Sequence, residues 1–94
     1  MPQVTFSYTG QLANAAGTPE ETLDLAEGAL LRAALDDLAS RYDGRWREMI
    51  FDDGGNVRST VLIVLDGEQA TGDKNAISLD GVRTVMLMTP IAGG

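Results

Sequence analysis

The spacing of hydrophobic residues changes along the chain from a period of two to a helical period, and this change limits the available folds. Apolar side chains occupy alternate positions in residues 3–8 and again in residues 22–25. Such alternation is typical of half-buried strands. The intervening residues 10–21 contain Gly17 and Pro19 and are predicted to form a loop. Two strands joined by one loop predict an antiparallel hairpin.

The middle of the chain carries the pattern of one amphipathic helix. Its apolar stripe, at i, i+4, i+7 and i+11, consists of Leu31, Leu35, Leu38 and Tyr42. This spacing predicts an α-helix over residues 29–43. Asp37 and Arg41 stand at i and i+4 in the orientation that favours an ion pair. Gly44 follows the last turn, where we expect it to form a left-handed cap.

The segment after the predicted helix has no clear period. Residues 45–56 are therefore predicted to be irregular, with Trp46 and Phe51 sealing the edge of the core. Residues 59–65 contain a run of successive apolar positions. Such a run favours a strand that is buried on both faces.

Two aspartate-glycine pairs delimit the last strands. The first pair, at residues 66–67, is a strong signal for a two-residue hairpin, so residues 68–70 are expected to pair back with the preceding strand. The second pair, at residues 80–81, predicts another turn. Residues 82–88 then form the last predicted strand.

The order of these elements indicates an α+β fold. A hairpin, one helix and further strands fit a mixed sheet with one main helix across one face, which is the layout of the β-grasp, or ubiquitin-like, fold. A ferredoxin-like sandwich needs a second helix, and residues 45–50 are too short to supply a good one. The 94 residues are enough for one domain. We expect this domain to span residues 1–88 and to be followed by a flexible tail, residues 89–94.

The composition removes most of the usual catalytic groups. The sequence has no Cys and no His, which excludes thiol nucleophiles, disulfides, most transition-metal sites and the commonest general base near neutral pH. It also lacks a phosphate-binding glycine motif, so we expect no ATP-binding site on this chain. We therefore predict a chain that is not an enzyme and has no bound metal or cofactor.

The charge and the hydropathy constrain the partners. A formal charge of −7 argues against nucleic acid, because affinity for phosphates comes from Lys and Arg. It favours a partner with a basic docking surface, although acidic surfaces also simply keep small proteins soluble. The longest apolar run, residues 61–65, is too short to span a membrane. With no signal-peptide pattern at residues 1–3, we expect a cytoplasmic protein that does not contact membranes.

Three segments together suggest a known family. Residues 8–17, YTGQLANAAG, follow the first predicted strand, residues 80–81 form the acidic glycine turn, and residues 89–94, TPIAGG, end the chain. In order and spacing these segments resemble the small subunit of molybdopterin synthase. The thiamine sulfur carrier and the carrier of some cysteine synthases share the fold and the diglycine end.

The chain also departs from the pattern of that family. The family often has a second proline, preceded by an aromatic residue, where this chain has Thr89 and Met88. It usually has an acidic residue where this chain has Val82. The chemistry of the tail does not depend on these positions, but the choice of pathway and partner does.

The resemblance implies a carrier function for the C-terminus. An E1-like adenylating enzyme would use ATP to form an acyl-adenylate on Gly94, and a sulfurtransferase would convert it to a thiocarboxylate. The thiocarboxylate would deliver sulfur within a synthase large subunit, to a pterin precursor of the molybdenum cofactor. Sulfur donation for thiamine or cysteine synthesis is the alternative within this class. A ubiquitin-like protein modifier and a plain binding module are the alternatives outside it.

The chemistry of the tail residues supports a threading arm. Gly93 and Gly94 have no side chains, so they fit a narrow channel and adopt backbone angles closed to other residues. Pro90 stiffens the base of the arm and lacks an N–H for sheet pairing. Ile91 and the small Ala92 complete the segment that is expected to enter a partner. The residues after the last strand reach roughly 20 Å at about 3.3 Å each.

A docking surface is predicted beside the tail. In the last strand Val85 and Leu87 should face the helix, which leaves Thr84, Met86 and Met88 on the opposite face. A sheet covered by one helix has an open second face, and methionine adapts well to a partner surface. We expect residues of the 59–65 strand to join this patch. The alternative is that loops cover the methionines and make them part of the core.

Overall fold

The chain folds into a five-stranded mixed sheet with its helices packed on one face. The structure, a computed structural model, describes residues 3–42 and 44–89. The elements in chain order are β1 Gln3–Tyr8, α1 Gly10–Ala16, β2 Glu20–Asp24, α2 Leu31–Arg41, α3 Gly44–Ile50, β3 Leu62–Leu65, β4 Glu68–Gln69, a 3-10 turn Lys74–Ala76 and β5 Thr84–Met88.

The sheet places the last strand near its centre. The strand order is β2-β1-β5-β3-β4. β1 pairs antiparallel with β2, as predicted, and parallel with β5. β3 pairs antiparallel with both β5 and β4. β5 therefore has a partner strand on each side, and its last residue, Met88, is in register with Leu62 of β3.

One hydrophobic cluster joins the helices to the inner face of the sheet. Its fully buried side chains include Phe6 of β1, Leu35 and Leu38 of α2, and Val85 and Leu87 of β5, all 0% exposed. A single helix, α2, contributes most of the helical side of this core. The predicted α+β fold, a mixed sheet with one main helix across one face, is confirmed.

Helix α2 is shorter than predicted at both ends. The prediction placed residues 29 and 30 in the helix, but Leu30 is extended and forms a β-bridge with Ser78, and α2 begins at Leu31. The chain reaches Tyr42 in an extended conformation at the other end. Gly44 is therefore not a left-handed cap, since it begins α3 instead. The Asp37–Arg41 ion pair is confirmed, with 3.0 Å between nitrogen and oxygen.

Two short helices occupy segments that were predicted to be loop or irregular structure. α1 lies in the predicted 10–21 loop and ends at Gly17, whose φ of 77° and N–H bond to the Ala13 carbonyl form a left-handed cap. α3 buries Trp46 and Ile50, four residues apart. Each helix has seven residues, and one or two buried positions are too few to show a helical period in sequence.

Strand β3 is buried on one face only, which corrects the prediction for residues 59–65. Ile63 is 1% exposed, whereas Leu62 beside it is 42% exposed. The helices cover only one side of the sheet, so every second side chain of this apolar run faces outward. The hairpin at residues 66–67 is confirmed, and β4 pairs back with β3.

A hydrogen-bonded cluster ties strand β2 to the end of α2. The hydroxyl of Tyr8 donates to the Glu21 carboxylate at 2.8 Å, and that of Tyr42 donates to the same oxygen. Both rings pack against Trp46, with centroid distances of 6.1 and 5.5 Å. Burial, followed by the neighbouring carboxylate, raises the pKa of Tyr42 to about 12 and also raises that of Tyr8. Both phenols therefore remain protonated donors at neutral pH.

The one-sided burial of β3 gives a direct test. We expect Ile63→Ala to lower the free energy of unfolding by about 2–5 kcal/mol, because it opens a cavity in the core. Leu62→Ala, its neighbour on the open face, should cost under about 1 kcal/mol. Urea denaturation of the two variants measures the difference. Equal losses would contradict the assignment of the two faces.

Candidate functional site

Strand β5 is the structural base of the C-terminal tail. It lies between β1 and β3 and ends at Met88, and Thr89 is half-buried. Val85 and Leu87 are 0% exposed and fix the strand to the core. The residues predicted to thread into a partner, Pro90, Ile91, Ala92 and Gly93, and the predicted attachment site, Gly94, lie outside the described residues. Their roles therefore remain predictions.

A carboxylate fixes the other end of β5. Asp66, in the β3–β4 turn, accepts hydrogen bonds from the backbone N–H of Thr84 at 2.9 Å and of Arg83 at 3.0 Å. The Thr84 N–H, followed by the Arg83 N–H, holds the pKa of this exposed carboxyl below its usual range. Sequence reasoning identified residues 66–67 only as a turn, since an Asp-Gly pair gives no sign of a contact with a strand that begins 18 residues later.

The three residues predicted for docking lie on the open face of the sheet. Thr84 and Met86 are exposed, Met86 by 38%, and Met88 is half-buried. They alternate with Val85 and Leu87, which face the helices as predicted. Their placement matches the prediction, while a docking role for them remains a prediction.

The register of the sheet brings two residues of β3 beside these methionines. Leu62 is opposite Met88, and Val64 is opposite Met86. Opposite side chains in antiparallel strands have Cβ atoms about 4.5–5.5 Å apart. We call this group of four, Leu62, Val64, Met86 and Met88, the β3–β5 patch. Leu62 and Met86 are among the exposed large hydrophobic residues of the described chain, so the patch is a surface and not core.

The other half of the open face is polar. Gln3 donates to Asp24 at 2.9 Å, and the hydroxyls of Thr5 and Thr22 are 3.0 Å apart. Thr84 is in register with Thr5 and belongs to this half. The boundary between polar and apolar surface therefore runs along β5, beside the base of the tail.

The strands and the helices differ in their basic residues. The described strands contain acidic residues but no Lys or Arg, and Glu20, Asp24 and Glu68 are exposed on the outer strands β2 and β4. Six of the cations lie in α2, α3, the α3–β3 connection and the 3-10 turn: Arg32, Arg41, Arg45, Arg47, Arg58 and Lys74. On the open face Asp24 and Glu20 of β2 are opposite Gln3 and Ser7 of β1, so this face carries acidic residues at its β2 edge, which suits a partner with positive charge.

The described residues contain no group of side chains suited to holding a metal ion. No cluster of three or more His, Cys, Asp or Glu capable of holding a metal occurs within residues 3–42 and 44–89. A groove lined by Leu25, Gly28 and Leu79 lies at the opposite ends of β1 and β5 from the tail. In the part of the chain that the structure describes, no helix is long and apolar enough to cross a membrane.

These features define a class of protein. A mixed five-stranded sheet with β1 and β5 parallel at its centre, crossed by one main helix, is a ubiquitin-like β-grasp fold.

Solved structures share this fold at low sequence identity. SAMP1, a small archaeal modifier protein of Haloferax volcanii, is 22% identical with a TM-score of 0.81, over 98% of this chain and 99% of that one. Urm1 of Trypanosoma brucei is 20% identical with a TM-score of 0.71, over 98% and 95%. A Pyrococcus furiosus protein assigned as subunit 1 of a molybdopterin converting factor is 20% identical with a TM-score of 0.69, over 97% and 100%. No curated protein sequence matches significantly.

The chain belongs to the ThiS family, whose model matches residues 6–94. This is a family of ubiquitin-fold sulfur carriers and small modifiers, and such small carriers are generally not catalytic themselves. Proteins of this kind work with E1-like activating enzymes and synthase partners. The resemblance found in the sequence is confirmed at the level of the family.

The contact of Asp66 with β5 predicts a pH-dependent loss of stability. Its lowered pKa means that the carboxylate stabilises the fold at neutral pH, and that this contribution disappears as the pH falls through the lowered value. We expect Asp66→Asn, which tolerates the φ of 49° at this position, to lower the urea midpoint at pH 7. The difference from the unsubstituted protein should narrow below about pH 4.

A matched control is Asp53→Asn, which changes the net charge by the same amount in an exposed turn elsewhere. It should not lower the urea midpoint at pH 7 to a comparable extent. A constant difference between Asp66→Asn and the unsubstituted protein across this pH range would exclude a role for the charge of Asp66.

Proposed function

We propose that this chain is a sulfur carrier whose C-terminal Gly94 is adenylated by an E1-like enzyme and then converted to a thiocarboxylate. The terminal carboxylate attacks the α-phosphorus of ATP, which is bound by the partner, and pyrophosphate leaves. Hydrosulfide supplied by a sulfurtransferase then attacks the acyl carbon, a carbon–sulfur bond forms, AMP leaves and the sulfur loses its proton, which gives the thiocarboxylate. Membership of the ThiS family carries this proposal, since its members are sulfur carriers or small modifiers.

The position of the tail base supports the proposal. Residues 90–94 continue from a central strand that is paired on both sides and fixed by fully buried side chains. Such a base transmits the position of the docked domain to the tail, and correct placement of the acyl carbon is essential for its reaction. Gly93 and Gly94 add no side chains near that carbon.

The synthase that we propose as acceptor acts in molybdopterin synthesis. This choice rests on the resemblance of residues 8–17 and 89–94 to the small subunit of molybdopterin synthase. Sulfur donation for thiamine or cysteine synthesis remains the alternative, together with protein modification. The acceptor that takes sulfur from the purified thiocarboxylate distinguishes the pathways, and a ladder of larger covalent species would instead show a modifier.

Extending the tail tests the proposed chemistry. Adding one Ala after Gly94 displaces the acyl carbon by one residue, and we expect sulfur transfer to fall at least about a hundredfold. Ala92→Gly keeps the length and the slender shape, so it should retain most of the transfer. The intact mass of each protein, isolated from its native host, should show replacement of oxygen by sulfur only where the terminus is native in length. Unchanged transfer after the extension would exclude the mechanism.

We further propose that the β3–β5 patch docks on the activating enzyme and on the synthase. Its apolar centre and the acidic outer strands fit a partner with an apolar surface rimmed by Lys and Arg. Leu62 and Met86 are sufficiently exposed to enter a partner pocket. The acidic strands should speed association and make it sensitive to salt.

Substitution within the patch tests this docking. We expect Leu62→Asp to weaken binding to the activating enzyme by about 2 kcal/mol or more, because it places a charge in a desolvated contact. Leu30→Asp is the matched control, since Leu30 is 43% exposed against 42% for Leu62 but lies at the start of α2, away from the patch. Calorimetric titration measures both affinities. Equal weakening by the two substitutions would place docking elsewhere.

A further inference from the structure

Lys74 is the only lysine of the sequence, and its side-chain nitrogen is held by backbone carbonyls. It begins the 3-10 turn Lys74–Ala76 and is half-buried. Its Nζ donates to the carbonyls of Ser59 at 2.7 Å, Arg58 at 3.4 Å and Val61. We call these three carbonyls the carbonyl cradle. A lysine ammonium has three donors and no acceptor, so the three carbonyls match its donors in number, with the Arg58 contact the longest of the three.

The cradle lies close to the base of the C-terminal tail. Leu62 is opposite Met88 in the antiparallel β3–β5 pair. Continuing this register places Val61, whose carbonyl binds Lys74, beside Thr89. Neighbouring strands are about 4.8 Å apart. The residues that follow Thr89, 90–94, span at most about 18 Å when extended, so the length of the tail is sufficient for its end to reach Lys74.

If the C-terminus is activated, as in the proposed function on which this inference rests, a nearby lysine amine is a competing nucleophile. A free lysine amine attacks an acyl-adenylate at the acyl carbon, an amide bond forms, AMP leaves and the nitrogen loses a proton. The product is an internal isopeptide that is lighter by one water than the unmodified chain. It has no terminal carboxylate and can no longer carry sulfur.

We propose that the carbonyl cradle protects Lys74 from acylation by the activated C-terminus of this chain, or of another copy. Attack requires a nitrogen lone pair directed at the acyl carbon, and the N–H groups of Lys74 instead point into carbonyl oxygens. The side chain has to leave the cradle before it can react. The other six cationic side chains are arginines, whose guanidinium groups are not nucleophiles at neutral pH.

The first experiment measures the reactivity of Lys74 without any activating enzyme. The folded protein is treated with a water-soluble N-hydroxysuccinimide acetate, and acetylation at residue 74 is followed by peptide mass spectrometry. The reference is the double variant Thr60→Lys, Lys74→Arg, which puts an uncradled lysine at an exposed position near the same end of β3. We expect Lys74 to react at least about tenfold more slowly than the introduced lysine, because three hydrogen bonds must break first.

Denaturation supplies a comparison within the unsubstituted chain. In concentrated urea the cradle is lost, and Lys74 should react as fast as the introduced lysine does. If Lys74 reacts equally fast in the folded and the unfolded protein, the cradle gives no protection and the proposal is overturned. This comparison holds even if the double variant does not fold.

The second experiment adds the activating enzyme and ATP without a sulfur donor. We expect the double variant to accumulate the species lighter by one water, while the unsubstituted chain does not. The same species at the same rate in the unsubstituted chain would overturn the proposal, as would its absence from an adenylated double variant. If neither protein causes release of pyrophosphate from ATP, the proposed function is wrong. The acetylation rates still decide whether the cradle protects Lys74.

Discussion

The pairing of β5 between β1 and β3 is the contact on which the rest of the structure depends. Val85 and Leu87 are fully buried beneath α2, and backbone hydrogen bonds run to both neighbouring strands. Buried apolar side chains and a backbone paired on both sides make this strand hard to displace. The tail therefore follows a firmly held strand. A carrier needs such a strand before its tail, because a partner that binds the domain thereby positions the C-terminus.

Covering the sheet on one face only has a direct functional consequence. Helices pack against one side, so the alternate residues of β3 and β5 have no described layer above them. These positions are apolar near the base of the tail and polar on β1 and β2. Acidic residues occupy the outer strands, while most cations lie in the helical layer. The surface beside the tail thus combines hydrophobic contact area with long-range attraction for a basic partner.

Within the part of the chain that the structure describes, the lysine side chain and both tyrosine hydroxyls are engaged in hydrogen bonds. With no Cys and no His, the side chains able to attack an activated terminus are few, and the one lysine is bound by three carbonyls. The two phenols share one carboxylate within the Glu21 cluster. This arrangement suits a carrier whose C-terminus is activated, because any free nucleophile of the chain could be acylated by that terminus and so consume it.

The sequence alone determined those features that depend on local spacing. The alternation of β1 and β5, the stripe of α2 and the hairpin at residues 66–67 are all properties of neighbouring residues, and each was predicted correctly. The terminal diglycine is equally a property of the sequence. The short helices α1 and α3 were missed because each owes its stability to packing on the rest of the core and not to its own periodicity.

Only the tertiary structure decided which distant residues meet. Three contacts join residues far apart in the chain: β1 pairs with β5, Asp66 accepts hydrogen bonds from the start of β5, and carbonyls within residues 58–61 bind Lys74. The exposure of Leu62 likewise depends on which face of the sheet the helices cover. No local pattern encodes such contacts, since they arise when burial of one apolar face brings separate segments together. The sequence specified a terminus of two glycines and the local patterns of the strands and the main helix, and the fold decided which residues lie around the end of β5.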